Sequence, residues 1–267
     1  MIFEVFLMLF TGLIAGLLSG LFGLGGGIIV VPILYVFFMH LGVQDSMVMH
    51  LAIGTSLAAM ITTTFNSIWM HQRKKNIDWS LVFWLLPYVA LGAVFGAMIS
   101  HFIQSQFLRY FFAAFLVFII LNALLKKNFT DQYQLKDFDF PKNNIAKIFF
   151  TGVGLLGVLL GVGGSLFSVP YFRRFHCPMK RASALALALT PAVSLVGAVG
   201  YLIIGLQSRS VFPYAIGFVY WPAFIGIGLG SLLGVPIGVH LAHKMHDKHQ
   251  AKLYIVLLFI FLAMILY

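Results

Sequence analysis

Charge is scarce in this sequence. Asp and Glu together number 7 and Lys and Arg 17 in 267 residues. Charged residues are therefore 9% of the chain, where a soluble domain carries roughly 25%, too few to clothe a water-facing surface. Cysteine is scarcer still: Cys177 stands alone, which excludes an intrachain disulfide and a CxxC metal site. The opening "MIFEVFLMLF" has no basic stretch before its apolar run and carries Glu4, so no cleavable signal is expected. No Asp, Glu, Lys or Arg falls well inside a predicted span; Glu4, Asp45 and Asp78 all sit at ends. The intramembrane carboxylate that proton-coupled transporters keep is thus not visible. Ser165 has no evident histidine or carboxylate partner at membrane depth, so the chain is not read as an enzyme, and no cofactor or metal is called for.

What is present is apolar. Hydrophobic residues make up 61% of the chain and the mean hydropathy is +1.00. Apolar segments run at about 5–39, 47–70, 79–100, 107–125, 145–172, 182–206, 211–241 and 251–267. Several reach about 20 residues, the length of a membrane helix, and they do not alternate as barrel strands do. The fold class expected is an all-α polytopic membrane protein. The net charge of +10 does not point to nucleic acid, because the basic residues collect in short loops, as cytoplasmic loops require.

The longest hydrophilic stretch, "KKNFTDQYQLKDFDFPKNN" (126–144), lies near the midpoint, and the segments on either side resemble each other. "GLGGGIIVVP" (23–32) recurs as "GVGGSLFSVP" (161–170) at an offset of 138 residues. Gly23, Gly25, Gly26 and Pro32 match Gly161, Gly163, Gly164 and Pro170, while Gly27 becomes Ser165. At an offset of 135, Thr55, Ala59, Thr62 and Asn66 correspond to Thr190, Ser194, Gly197 and Tyr201, and Pro87 to Pro222. The spacing of these residues places each set on one helical face. The chain is therefore divided into an N-terminal transmembrane repeat (1–125), a polar cytoplasmic linker (126–144) and a C-terminal transmembrane repeat (145–267).

A single helix over residues 5–39 would be about 52 Å long, against a hydrocarbon core of about 30 Å, so this segment must tilt, break or fold back. If all eight segments cross once, Lys and Arg divide 9 to 8 between the two sides. If segments one and five are re-entrant hairpins turning at their glycines, the division becomes 15 to 2, with only Arg109 and Arg209 on the minor side. The second division follows the positive-inside rule. It predicts six full spans, two hairpins, both termini outside the cytoplasm, and two inverted four-segment repeats, each opening with a Gly-rich broken or re-entrant helix hairpin.

Irregular backbone survives in a membrane only inside protein or beside a water-filled cavity. A glycine turn followed by a helix exposes free N–H groups at a positive helix end, which suits an anion. The candidate substrate-binding residues are Gly23, Gly25, Gly26 and Gly27 in one turn, and Gly161, Gly163, Gly164 and Ser165 in the other. Packing glycines that merely let helices approach are the alternative. Thr55, Ser56, Thr62, Asn66, Thr190 and Ser194 are expected to line a path beside the turns, although hydroxyls also bond to their own helix. His50 is the one titratable side chain near that path and is read as marking the membrane boundary. "HKMHDKH" (243–249) has metal-like histidine spacing but lies in a basic interfacial loop, and "RRFHCPMKR" (173–181) suits topology retention or anionic headgroups.

"GLLSGLFGLGGGIIVVPIL" (16–34), its echo "GVLLGVGGSLFSVPYF" (157–172) and "GTSL" (54–57) resemble the TauE/SafE family of sulfite exporters and toluene-sulfonate uptake permeases, along essentially the whole chain. The resemblance implies movement, usually outward, of sulfite, sulfoacetate or other organosulfonates, with the turns at 23–27 and 161–165 as the family's hallmark. Ser165 in place of glycine, and "LTPA" (189–192) against "GTSL", depart from symmetry between the halves. The expected function is a secondary transporter or facilitator of a small anion in a bacterial cytoplasmic (inner) membrane. Its partners are that anion and the lipid bilayer, and homo-oligomerisation is left open. A cation or metal permease using freed carbonyls, and a non-transporting membrane subunit, remain as alternatives.

Overall fold

The computed structural model describes residues 2–22, 25–73, 77–125, 138, 140–207, 212–245 and 247–267. Ten helices form among them: α1 (Ile2–Phe22), α2 (Gly27–His40), α3 (Asp45–Arg73), α4 (Trp79–Ser100), α5 (Ser105–Leu125), α6 (Asn144–Leu160), α7 (Ser165–Arg174), α8 (Met179–Gln207), α9 (Trp221–Lys244) and α10 (Asp247–Leu266). The first and fifth apolar segments are thus each two helices, parted at the glycine turns. A small antiparallel ribbon, Ala215–Ile216 with Val219–Tyr220, precedes α9 inside the stretch expected to be the seventh span.

Side-chain caps start two of the helices where polar residues end the apolar runs. Asp78 accepts from the amides of Ser80 and Leu81 at 3.1 and 3.3 Å, and Asn143 from that of Ala146 at 2.9 Å. These caps satisfy amides that the helix itself leaves open.

Two contacts sort the helix ends. Arg181 pairs with Asp78 at 3.1 Å, which puts the starts of α4 and α8 at one end of the molecule. Arg109 donates to Ile265 O and Leu266 O at 2.7 and 2.8 Å, which puts the start of α5 and the end of α10 at the other. The first of these ends is the basic one: Lys142, Lys147, Arg173, Arg174 and Arg181 lie in or beside its connections.

Small residues set how the helices pair. Gly12, Gly16 and Gly20 of α1 lie in turn against Ile227, Ser231 and Val235 of α9, and Gly230, Gly234 and Gly238 face back onto Leu9, Leu13 and Leu17. The register rises together, so α1 and α9 run parallel. Gly92 and Gly96 of α4 meet Thr151 and Leu155 of α6 in the same way, and Gly154 meets Val89. With no Cβ in the seam the backbones touch, which is how helices associate where apolar burial offers no drive. At the centre α3 and α8 cross antiparallel, with Gly54 against Tyr201 and Gly197 against Leu57. The remaining main contacts are α4 with α8, α3 with α9, α2 with α3, α7 with α8, and α5 with α10. Exchanging α1–α5 for α6–α10 leaves this set of partners unchanged.

Six helices are long and apolar enough to cross a membrane: α1, α3, α4, α5, α8 and α9. The number equals that expected, but the set differs. The 18 apolar residues Val5–Phe22 qualify α1 on length, whereas the uninterrupted apolar part of α10 is the shorter Lys252–Leu266. The chain is an integral, multi-pass membrane protein, and large apolar side chains such as Phe83, Phe95, Phe107, Phe118 and Leu233 face outward from the bundle. Within it α3 is the most enclosed of these helices: 83% of an apolar 18-residue stretch of it is buried, against 28% for such a stretch of α5.

Candidate substrate site

Both glycine turns reverse the chain. Residues 15 and 26 would be about 16 Å apart along a straight helix. Here a methyl group added to Gly26 would lie 3.8 Å from Ala15 O and 3.7 Å from Ser19 Cβ. The second turn repeats this: a methyl on Gly164 would sit 3.0 Å from Val153, again eleven residues upstream. The reversal uses left-handed backbone at Gly25 and Gly26 (φ 73° and 84°) and at Gly161 and Gly163 (φ 66° and 69°), a region that costs other residues a clash with Cβ.

Each reversal ends at a helix start without a side-chain cap, Gly26 for α2 and Gly164 for α7. The two turns meet. A methyl on Gly25 would stand 3.5 Å from Ser165 Oγ, and one on Gly27 would overlap Gly161 O and lie 2.6 Å from Val162 Cα. Ser56 of α3 donates to Gly161 O at 3.0 Å, tying the second turn to the first half of the chain. Thr190 of α8 brings its methyl within 2.7 Å of where a methyl on Gly163 would stand, while its hydroxyl donates to Ala186 O one turn back.

Gly25, Gly26, Gly27, Gly161, Gly163, Gly164, Ser165, Ser56 and Thr190 are therefore gathered at or beside one junction. It lies at mid-length of α3 and α8, beside Met60 and Thr190. Gly23 lies outside the described residues. The rest of the hydroxyl stripe is engaged elsewhere. Thr55 accepts from the Tyr220 amide at 3.0 Å and anchors the ribbon. Thr62 bonds to Ala59 O and faces Gly228, and Asn66 donates to Leu232 O, so both turn toward α9. Ser194 donates to Pro191 O in its own helix.

Three buried serine hydroxyls have no hydrogen-bond partner among the described residues: those of Ser19, Ser165 and Ser168. Ser165 faces Gly25 across the junction. Ser19 and Ser168 lie 3.9 and 3.8 Å from where methyls on Gly26 and Gly164 would be. Burying a hydroxyl without a partner is unfavourable, so three around two uncapped helix starts mark a place suited to an oxygen-rich ligand. Sequence reasoning missed Ser19 and Ser168, although the first opens the glycine stretch and the second follows Ser165 by one turn. It also missed Met60, one turn beyond Ser56, whose Sδ and Cε lie between the two turns.

At the end opposite the basic one, a cavity of about 610 Å³ opens among Tyr35, Asp45, His50, His101, Gln104 and Arg109. The Arg109 guanidinium stands 5.2 Å over the Tyr35 ring. His50 is buried, with Nε2 3.3 Å from Ser100 O and its ring 5.2 Å from that of Phe218. At the basic end Cys177 is buried between α7 and α8, and that burial pushes its thiol up to about 12. No group of three or more metal-ligating side chains forms among the described residues. His246 of the 243–249 cluster lies outside them.

Comparison with known proteins decides the family. The sulfite exporter TauE/SafE family matches residues 8–266. The chain belongs to the TauE/SafE family. Its curated relatives include a "Probable membrane transporter protein" of Methanocaldococcus jannaschii, 29% identical over 247 residues, covering 91% of this chain and 88% of the relative. A Haemophilus influenzae protein of the same description is 27% identical over 241 residues, 90% of each chain. The Bacillus subtilis protein YunE, also so described, is 27% identical over 260 residues, 91% of this chain and 90% of its own. No solved structure matches. This TauE/SafE protein is thus a membrane transporter by family, with its glycine turns as the structural centre.

Proposed function

We propose that this TauE/SafE protein is a secondary transporter or facilitator that exports a small anion, sulfite or an organosulfonate such as sulfoacetate. The observation that carries the reading is the meeting of two uncapped helix starts, α2 and α7, with the unpartnered Ser165 hydroxyl between them. Amides at helix N-termini present partial positive charge without a lysine or arginine, and so hold an anion without trapping it. A cation permease would need helix C-termini or freed carbonyls at the same point; α6 does end there, but Gly161 O at its cap already accepts from Ser56. The family's description as a sulfite exporter supports sulfur oxyanions as the substrate class.

The halves 1–125 and 145–267 act as inverted copies that rock about the junction, each supplying one turn. The exchange-invariant helix pairing and the 138-residue offset support this reading. The basic end faces the cytoplasm of a bacterial inner membrane, and the Arg109 cavity faces outward. A negative-inside potential supplies about 2.3 kcal/mol per charge per 100 mV to an outgoing anion, so no proton-carrying carboxylate is needed.

A non-transporting subunit is the second reading, and Met60, which fills the junction, is the observation that favours it. Flux separates the two. Purified protein in proteoliposomes is expected to move sulfite or sulfoacetate, faster under a potential negative on the anion-loaded side. Cation flux with no anion flux overturns the proposal, and no flux of either ion favours the subunit.

A further inference from the structure

We propose that Met60 sets the size preference of the transported anion, favouring compact oxyanions over those with a carbon substituent; this rests on the anion reading of the glycine junction. The thioether end of Met60 is wedged where the two turns meet. A methyl on Gly27 would come within 2.7 Å of Sδ, and methyls on Gly25 and Gly163 within 3.2 and 2.6 Å of Cε. Met60 is 1% exposed and so enclosed by the bundle. The walls of the notch are of two kinds: Ser165 Oγ and the helix-start amides on one side, the Met60 thioether and the Thr190 methyl on the other.

The two halves do not contribute equally. At the 135-residue offset the counterpart of Met60 is Leu195, which is 43% exposed and points away from the bundle. The first half therefore brings one unbranched, polarizable side chain into the junction, and the second brings the Ser165 hydroxyl. Methionine has three rotatable bonds and can swing its end group without moving the backbone. Swinging Cε out of the notch releases the room of one methyl-thio group. Room of that size favours a compact anion over one that carries a substituent. The backbone atoms of Val162 and Gly161 close the notch on the side of Gly27 and cannot yield in the same way.

The test is the ratio of sulfite to sulfoacetate transport by full-length protein in proteoliposomes, for the wild type, Met60→Ala, Met60→Val and Met60→Leu. The wild type is expected to favour sulfite. Met60→Ala should raise sulfoacetate relative to sulfite by about 10- to 100-fold, the range that a small change in pocket volume commands. Met60→Leu, of similar volume, should leave the ratio near the wild-type value. If Met60→Ala is not recovered monodisperse, Met60→Val carries the test and should move the ratio the same way. An unchanged ratio in folded Ala or Val variants overturns the role of Met60, as does a wild type that moves both anions equally. Wild-type protein that moves no anion overturns the anion reading itself, and this inference with it.

Discussion

Ser165 stands where two local demands coincide, at the first residue of α7 and within reach of the opposite turn. Its hydroxyl is fully buried and makes no hydrogen bond among the described residues. Removing a buried polar group that lacks a partner is close to neutral or slightly stabilising for the fold. A hydrogen bond to a charged ligand is worth about 1.5–3 kcal/mol. Ser165→Ala should therefore keep its unfolding temperature while losing about tenfold or more in anion affinity, read by anion-dependent thermal shift and flux on the same preparation. A loss of stability with unchanged affinity would make the hydroxyl a packing group. At this scale the glycines were legible in the sequence because a left-handed turn tolerates little else, and the turn repeats 138 residues on. Met60 was not, because a methionine among apolar residues carries no mark of what it touches. Its importance comes from Gly163 and Gly27, which are far from it along the chain.

Among the elements, periodicity gave the face of α3 that carries the hydroxyls but not the neighbour that each meets. Thr62 and Asn66 share that face with Thr55, yet α9 covers the first two and Thr55 anchors the ribbon, so it is the neighbouring Ser56 that reaches the turns. The ribbon of Ala215–Tyr220 escaped notice because two-residue strands leave no alternating pattern. Asp78 is the element-scale residue with two separable roles, since it caps α4 and pairs with Arg181 at the start of α8. Asp78→Asn keeps a capping oxygen and loses the ion pair, which is partly exposed and screened, and should cost about 0–1 kcal/mol. Asp78→Ala also loses the cap and should cost about 1 kcal/mol more. Thermal unfolding of both variants in detergent measures the difference; equal losses would mean that the cap contributes nothing.

For the molecule as a whole, the 15-to-2 division of Lys and Arg depended on letting two segments turn back. The structure places Gly26 beside Ala15 and Gly164 beside Val153, so the chain turns back at both glycine runs. The orientation reading makes the Arg109 cavity accessible from outside the cell and the start of α6 accessible from the cytoplasm. A cysteine at the exposed Ser46, introduced as Ser46→Cys, should react with a membrane-impermeant maleimide on intact cells, and Asn144→Cys should react only after lysis. The reverse result would invert the topology. The burial of Cys177 gives this experiment an unusual convenience. Thiol chemistry needs thiolate, and a buried group held up to about 12 offers almost none at neutral pH. Burial of Cys177 thus keeps the native background low, so that a probe reports chiefly the position chosen for it. Distances between spectroscopic labels on cysteines introduced into the two halves can then be followed through a transport cycle without first removing a native one.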